Sequence, residues 1–290
     1  MILFIVNPIS GGRNKNLLIA AIKHGMDGYD FDIVRTEYAG HAAILARETS
    51  AETVVAVGGD GTVSEVARAL VGTGKTLGII PCGSGDGLAR HLHISHILFH
   101  SLRTIKNGAV TTIDHGLING KPFFCTCGVG LDAIVSDKFA KASRRGLPTY
   151  IEKALQTWIH FKPENYHLEI DGKAYELKAV LITVGNANQW GNEGRIAPMA
   201  SLCDGLLDVT VIKPFRNVDI PLLAAQLMDG RLNHNGHVLC LRGRDVKIVR
   251  DSEGPAHFDG DPMMLGREIG VSIVPAALKV LVPVKYKSRV

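Results

Sequence analysis

The stretch Thr53–Leu70, TVVAVGGDGTVSEVARAL, constrains the fold of this chain more than any other. Its first five residues are β-branched apart from one Ala, which is typical of a buried strand. Three glycines then interrupt the strand, and the apolar residues after them recur at helical spacing. Thr62 and Glu65 have the S/T-x-x-E spacing of a capping box, so the helix is predicted to begin at Thr62.

A strand, a glycine turn and a capped helix in this order form a cradle for phosphate. The glycines let backbone N–H groups approach an anion closely, and the helix N-terminus adds a partial positive charge. Asp60 lies in the middle of the turn and would repel a phosphate unless a cation lay between them. A divalent metal bound to a nucleotide removes that conflict. The residues alone leave open a plain βα turn in which Asp60 caps the helix.

Composition sets wider bounds on the class of protein. The chain has 290 residues, of which 46% are hydrophobic and 21% charged, which suits a globular protein of two domains with ample core. A formal net charge of +4 suits anionic ligands or membrane surfaces without requiring either. No basic run is long enough to favour nucleic acid as a partner.

Cysteine usage and the N-terminal segment indicate a cytoplasmic protein. Five widely spaced cysteines favour a reduced intracellular environment. The opening MILFIVNP lacks a basic region and stops at Asn7-Pro8, so it is predicted to be a first strand and not a signal peptide. No stretch approaches the roughly 20 apolar residues that a spanning helix needs, so any contact with lipid is expected from the surface.

The first 115 residues repeat a strand–helix unit, which predicts an α/β domain with a doubly wound parallel sheet. In such sheets ligands bind outside the carboxyl ends of the strands. Three of the four predicted strands end in Gly/Ser-rich loops, at residues 7–12, 58–62 and 81–87. The loop 81–87 departs from the dinucleotide fingerprint in the position of its third Gly, which argues against a nicotinamide oxidoreductase.

After about residue 117 the pattern changes to strands, which predicts a β-rich, sandwich-like C-terminal domain. Among these strands, residues 166–170 and 175–184 are predicted to flank a hairpin turn at Asp171-Gly172. The expected domains are therefore 1–117 and 118–290, with the C-terminal tail able to pack back on the first. Within the second domain, Phe258-Asp259-Gly260-Asp261-Pro262 places two carboxylates around one Gly. This segment is either an Asp-Gly turn or part of a site, and the segment 204–208 poses the same choice.

These motifs follow one another in an order that resembles a known family. They are Asn7-Pro8-x-Ser10-Gly11, Gly58-Gly59-Asp60-Gly61-Thr62, Pro81-x-Gly83-Ser84-Gly85, Asp204-Gly205-x-Leu207-Asp208 and Asp259-Gly260-Asp261. Together they resemble the diacylglycerol kinase catalytic family, which includes the bacterial lipid kinases and the sphingosine kinases.

The resemblance implies a nucleotide-binding α/β domain, a β-rich lipid-binding domain, and ATP and Mg²⁺ as cosubstrate and cofactor. It implies that Asp60 holds the active-site magnesium through water and that Asp261 acts as the general base. A structural magnesium is implied at Asp204 with the backbone carbonyls of Ser201 and Leu206. The implied nucleotide contacts are Asn7, Ser10, Gly11, Gly12, Thr36, Gly58, Gly59, Gly61, Thr62, Glu65, Gly83, Ser84, Gly85, Asp259 and Gly260.

Three departures from the family pattern bear on activity and acceptor. Asp261 stands where bacterial members carry the longer Glu, and Ser64 stands where Asn is usual. The loop 83–87 is nearer the sphingosine kinase version than the diacylglycerol kinase version. Against this, Ala133-Ile134 lacks the further acidic residue that sphingosine kinases carry for the lipid headgroup. The sequence therefore leaves both a diacylglycerol-like and a sphingoid-like acceptor open.

The leading hypothesis from the sequence is an ATP-dependent kinase that phosphorylates a lipid hydroxyl. An NAD kinase, which shares the Gly-Gly-Asp-Gly turn, and a non-catalytic nucleotide- or lipid-binding module are the alternatives. The expected partner is a lipid at a membrane surface, with a homodimer possible and no nucleic acid. The basic segment 138–145 is predicted to dock on that membrane, and a solvated helix face is the alternative.

Overall fold

The computed structural model of the chain describes residues 1–12, 14–141, 147–158 and 160–287. They divide into two compact units. The first unit is Met1–Ile113 together with Ala276–Val290, and the second unit is Asp114–Pro275. The boundary expected after residue 117 lies close to the start of the second unit, and the segment from Ala276 onwards groups with the first unit.

The N-terminal part of the chain alternates strands and helices. Its elements are β1 (Ile2–Val6), α1 (Lys15–Gly25), β2 (Phe31–Arg35), α2 (His41–Glu48), β3 (Thr53–Gly58), α3 (Asp60–Leu70), β4 (Thr76–Pro81), α4 (Gly87–His91) and α5 (Leu98–Asn107).

The first unit is built on a parallel sheet with the strand order β2-β1-β3-β4. Phe4 and Val55 belong to a buried cluster that includes Ile22 of α1 and Leu102 of α5. The neighbouring strand residues, such as Ile5, are also fully buried, and they point to the opposite face because side chains alternate along a strand. Helices α2 and α3 contact each other and the strands there. The predicted doubly wound α/β sheet is confirmed.

The rest of the chain is mainly strand. Its elements are β5 (Ala109–Ile118), β6 (Lys121–Phe123), β7 (Thr126–Gly130), α6 (Leu131–Ala140), α7 (Leu147–Trp158), β8 (Glu164–Ile170), β9 (Lys173–Ala179), β10 (Leu181–Gly185), β11 (Leu207–Ile212), α8 (Ile220–Asp229), β12 (Val238–Gly243), β13 (Asp245–Arg250), β14 (Gly254–Phe258), β15 (Asp261–Leu265), β16 (Glu268–Val282) and α9 (Val284–Lys287).

The second unit packs two antiparallel layers against each other. One layer is the six-stranded sheet β12-β11-β10-β7-β14-β15, and the other contains β16-β13-β8-β9 with β5 and β6. Val129 and Val184 of the six-stranded sheet share one buried cluster with Leu168 and Ile248 of the other layer. The predicted β-rich sandwich is confirmed. The last strand, β16, pairs with β13 in the second unit through residues 268–272 and with β4 in the first through residues 279–280.

Two local predictions are wrong. Helix α3 begins at Asp60, two residues before the predicted start, and Gly59 is its N-cap. Thr62 and Glu65 do not form a capping box, because both side chains bond to distant parts of the chain. The segment 175–184, predicted as one strand, is divided between β9 and β10, which belong to different sheets.

Across the part of the chain that the structure describes, no helix combines the length and apolar character needed to cross a membrane.

Candidate active site

The three glycine-containing loops lie side by side at the carboxyl edge of the first unit's sheet, because they follow the neighbouring parallel strands β1, β3 and β4. They approach so closely that only glycine fits. A Cβ added to Gly11 would lie 1.9 Å from the carbonyl oxygen of Cys82. A Cβ added to Gly83 would lie 2.8 Å from the Cα of Gly59. The three loops therefore form one surface of closely packed backbone.

Hydrogen bonds fix the loops to one another. The Asn7 amide Nδ2 donates to the Thr62 hydroxyl over 2.9 Å, which joins the loop after β1 to the first turn of α3. The backbone N–H of Cys82 donates to the Gly58 carbonyl over 2.8 Å and joins the other two loops. Thr62 therefore holds the loop after β1 in place and does not cap its own helix.

The Asp60 carboxylate is bound to the backbone of the loop after β4. It accepts the N–H of Asp86 over 2.8 Å and the N–H of Gly87 over 2.7 Å. Asp86 is buried, accepts the Gly83 N–H over 3.1 Å, and lies 3.0 Å from the Nε2 of His96. These contacts hold the Asp60 carboxylate in one orientation at the N-terminus of α3.

A carboxylate oxygen in this position is the type of ligand that magnesium prefers. Asp60 offers one such ligand, and within the described residues no group of three or more His, Cys, Asp or Glu side chains is placed to hold a metal ion. A magnesium ion at Asp60 would therefore take its other ligands from the phosphates of a nucleotide and from water. The structure also explains Asp60 without a metal, because a carboxylate that accepts two N–H groups stabilises the neighbouring loop.

The remaining nucleotide contacts implied for the first unit also lie along this edge or beside it. Thr36 follows β2 directly and is buried, and its N–H donates to the Val6 carbonyl over 3.0 Å. Glu65 accepts the Gly40 N–H over 3.0 Å, so its carboxylate braces the start of α2. Ser84 is exposed at the tip of its loop. The other implied contacts in these three loops are Ser10, Gly12, Gly61 and Gly85.

Lys15 is a residue of this edge that sequence reasoning did not identify. It opens α1, only 8% of its surface is exposed, and its Nζ donates to the carbonyl of Ser10. A cation held against the loop after β1 adds positive charge beside the phosphate-binding surface. The sequence signal that could have identified Lys15 is its position after a glycine-rich loop.

In the second unit, Asp259 and Gly260 form the two-residue turn between β14 and β15. Their φ angles of 50° and 84° are those of a type I′ hairpin turn. The Asp259 carboxylate accepts the N–H of Cys125 over 2.7 Å and the N–H of Phe124 over 3.0 Å. Asp259 thus anchors the hairpin. Asp261 opens β15 and is exposed, pairing across the turn with Phe258.

A buried polar cluster next to this hairpin was missed by sequence reasoning. The Asp132 carboxylate accepts the Thr183 hydroxyl over 2.7 Å and lies 3.1 Å from the Nε2 of His257, and all three residues are almost fully buried. A Cβ on Gly128 would lie 2.8 Å from Asp132 Oδ2, so this strand position requires glycine. The members come from separate strands and a helix, and no local motif links them. The cluster fixes β14, and with it the hairpin that carries Asp261.

The Asp204 carboxylate, which is expected to hold a structural magnesium with the carbonyls of Ser201 and Leu206, pairs with a guanidinium in this structure. The guanidinium Nη2 of Arg242 pairs with the Asp204 carboxylate, and its Nε lies 3.2 Å from the Asp208 carboxylate. Asp204 also accepts the Leu206 N–H over 3.1 Å, and the Ser201 hydroxyl accepts the Cys203 N–H over 3.3 Å. Burial raises the pKa of Asp208 to about 6, against the opposing charge of Arg242. Arg242 supplies the cation that this loop needs.

We therefore expect the thermal stability of the protein to be insensitive to a chelator. Arg242→Gln should lower the free energy of unfolding by about 1–2 kcal/mol, because it leaves two carboxylates without their partner. Added Mg²⁺ should then restore part of the loss. The measurement is Tm with and without chelator, with the exposed Arg244→Gln as the matched control. A parent Tm that falls on chelation would contradict this account.

The second unit also has an apolar cavity of about 150 Å³ that is partly open to solvent. It lies under α8, which contributes Leu223 and Leu227, and its other lining residues include Leu131, Phe215 and Trp190. Every described residue that lines it is hydrophobic. The indole Nε1 of Trp190 is buried and has no hydrogen-bond partner within the described residues.

Only part of the predicted docking segment 138–145 lies within the described residues. Arg144 and Arg145 lie outside the described residues. Lys138 is exposed, and the Nζ of Lys141, the residue after the end of α6, pairs with Asp137 over 2.7 Å. Membrane docking through this segment stays a prediction.

Comparisons with known proteins specify the family of a chain that joins an α/β unit with three glycine loops at one sheet edge to a β-sandwich. The model of the diacylglycerol kinase catalytic domain matches residues 1–118. The model of the YegS C-terminal NAD kinase beta sandwich-like domain matches residues 125–282. The chain belongs to the family that these two domains define, whose kinases transfer phosphoryl groups to an alcohol acceptor and use ATP.

Individual relatives agree with this assignment. The chain is 28% identical over 267 residues to a diacylglycerol kinase of Bacillus subtilis, covering 89% of this chain and 88% of that one. A crystal structure of a putative diacylglycerol kinase from Bacillus anthracis has the same fold, with a TM-score of 0.77, 23% identity, and coverage of 97% and 96%. An NAD kinase from Archaeoglobus fulgidus is more distant, with a TM-score of 0.59, 13% identity, and coverage of 100% and 97%.

Proposed function

We propose that the protein is an ATP- and magnesium-dependent kinase that phosphorylates the hydroxyl group of a lipid such as a diacylglycerol or a sphingoid base. The observation that carries the proposal is the apolar cavity in the second unit. A hydrocarbon chain gains about 0.8 kcal/mol for each methylene group removed from water, and the hydrophobic lining offers that gain. The polar groups of NAD would gain nothing from such a cavity, which favours a lipid acceptor over an NAD kinase.

The loops of the first unit support the nucleotide half of the reaction. Backbone N–H groups at the N-terminus of α3 and in the neighbouring loops suit the phosphates of ATP. Magnesium bound with the nucleotide would supply charge neutralisation at the transferring group. In this proposal Asp60, held by the N–H groups of Asp86 and Gly87, orients that complex.

The second unit would supply the acceptor and the base. The oxygen of the lipid hydroxyl attacks the γ-phosphorus of ATP, the bond from that phosphorus to the β,γ-bridging oxygen breaks, and ADP leaves. Asp261 takes the proton of the hydroxyl group during attack. Its place after a rigid two-residue turn, with Asp259 tied to the backbone of Phe124 and Cys125, holds the shorter carboxylate in a defined position.

The direct test offers labelled ATP and magnesium to the purified protein with one of three acceptors: diacylglycerol, sphingosine or NAD. We expect a phosphorylated lipid and no phosphorylated NAD. Phosphorylation of NAD alone would replace the proposal with the NAD kinase alternative. A protein that binds ATP but phosphorylates none of the three would favour the non-catalytic module.

Filling the cavity should change the preference of the protein for lipid acceptors of different acyl-chain length. Ala224 lines the cavity from α8, so Ala224→Phe would place a ring where the acyl chain is proposed to lie. Excluding about two methylene groups costs about 1.6 kcal/mol, which corresponds to a roughly tenfold rise in KM for a long-chain acceptor. The KM for a short-chain acceptor should stay unchanged and serves as the internal control. Equal effects on both acceptors would place the acyl chain elsewhere.

A further inference from the structure

Helix α8 has a second apolar face that points away from the cavity. Val218, in the turn before the helix, is 73% exposed, and Leu222 and Met228 are 56% and 45% exposed. Pro221 and Ala225 are exposed on the same helix. We call these five residues the outer face of α8. No charged residue stands between Asp219 and Asp229, so the face is apolar along its whole length.

Cations flank the outer face at both ends. Lys213 and Arg216 are exposed before the helix, and the Arg216 side chain is 82% exposed although it lies 3.7 Å from Asp219. Arg195 and Arg231 are exposed at the other end, where Arg195 packs against the Gly230 cap of α8. These four cations outnumber the two acidic residues at the helix ends, Asp219 and Asp229. The charge pattern is complementary to a surface of anionic headgroups.

An aromatic pair lies at the turn before α8, where Asn217 precedes Val218. The rings of Trp158 and Phe215 stack with centroids 4.4 Å apart, and the Trp158 Nε1 donates to the Asn217 side chain over 3.0 Å. Tryptophan with one apolar side and one hydrogen-bonded end is characteristic of the zone where lipid headgroups meet acyl chains. The cations match the depth of the headgroups, the aromatic pair matches the boundary between headgroups and acyl chains, and the apolar face matches the acyl chains.

We propose that the outer face of α8 docks on an anionic membrane and thereby brings a lipid to the cavity beneath the same helix. Only the second part of this proposal, the delivery of a lipid to the cavity, rests on the proposed function. The inner side of α8 lines the cavity through Leu223 and Leu227, so a single helix would contact the bilayer on one side and the acyl chain on the other. An anionic bilayer fits the surface better than a protein partner, because the five residues of the outer face offer apolar contact without polar side chains to specify a partner.

The test measures binding to vesicles of phosphatidylcholine with about one third phosphatidylglycerol, by sedimentation at low salt. Val218→Glu/Leu222→Glu places two carboxylates on the outer face and should reduce vesicle binding at least tenfold. The matched control is Ile97→Glu/Phe99→Glu, which changes two residues of the first unit that are 60% and 73% exposed. This control should bind as the parent does. Vesicles of phosphatidylcholine alone should bind the parent more weakly, and added salt should weaken binding to the anionic vesicles.

Tryptophan fluorescence gives a second readout. The chain has two tryptophans, Trp158 beside the outer face and Trp190 in the cavity wall, so their emission should shift to the blue when the parent meets anionic vesicles. Phosphorylation of a detergent-dispersed, short-chain lipid by Val218→Glu/Leu222→Glu at the parental rate would show that the variant is folded. Equal vesicle binding by this variant and the parent would overturn the docking proposal. A parent that binds vesicles but phosphorylates no lipid would overturn only the proposed function.

Discussion

Asp60→Asn is expected to lower the turnover of phosphoryl transfer by roughly 10²-fold or more, because it removes the negative charge that would hold magnesium against the nucleotide. The amide is the same size, but its nitrogen cannot accept one of the two backbone N–H groups that the carboxylate now accepts. The substitution should therefore also weaken the attachment of the loop after β4. Hydrogen bonds to a charged group contribute about 1.5–3 kcal/mol, so a Tm lower by several degrees is expected.

A magnesium titration separates the loss of negative charge for the metal from the weakened attachment of the loop after β4. Asp86→Asn disturbs the same loop, because Asp86 accepts the Gly83 N–H and lies beside His96, but it leaves the Asp60 carboxylate in place. If Asp60 contacts the metal, Asp60→Asn alone should raise the magnesium concentration needed for half-maximal activity. The exposed Asp32→Asn controls for loss of a carboxylate in the same unit. The same magnesium dependence in the Asp60 and Asp86 variants would reduce Asp60 to a loop-positioning residue.

The sequence predicted the edge at which the three glycine loops meet, because the signals for that edge are local. A run of β-branched residues that ends in glycine is sufficient to place a buried strand and the loop after it. Parallel pairing then brings successive loops to one edge, since all the strands point the same way. The approach of Gly11 to Cys82 and of Gly59 to Gly83 follows from that geometry.

The errors arise where a side chain bonds to a distant segment. Thr62 and Glu65 have capping-box spacing, yet their partners are Asn7 and Gly40, so the helix begins two residues earlier than the motif indicates. Likewise, 38 residues separate Arg242 from Asp204, and nothing in the local sequence shows that this guanidinium pairs with the carboxylate expected to bind a metal. Pairing across sheets is set by tertiary packing, which local spacing does not report.

The hairpin around Asp259 shows how the two kinds of information combine. The Asp-Gly pair alone left a turn and a site equally reasonable, and the structure shows a turn whose Asp is bound to backbone N–H groups. Asp259 is therefore better suited to holding the turn than to taking a proton. This leaves Asp261 as the carboxylate of the motif that is exposed at the start of β15.

Asp261→Asn should lower kcat by roughly 10²-fold or more, because the amide keeps the size of the side chain and removes its basicity. The KM for ATP should change little, since the nucleotide is proposed to bind the loops of the first unit. The Tm should also stay near that of the parent, because substitutions of exposed residues usually change stability by less than about 0.5 kcal/mol. Asp251→Asn, an exposed position in the same unit, is the matched control and should leave kcat unchanged.

Asp261→Glu then tests whether the shorter side chain limits the reaction. A turn fixed by the bonds from Phe124 and Cys125 to Asp259 cannot move easily to compensate for a missing methylene, so the position of the carboxylate depends on side-chain length. If the hairpin already places Asp261 within reach of the acceptor hydroxyl, the longer Glu should overshoot and lower kcat severalfold. If it does not, Glu should raise kcat above that of the parent. In either case the Asn variant must be far slower than both, and an Asn variant within about threefold of the parent would assign the base to another residue.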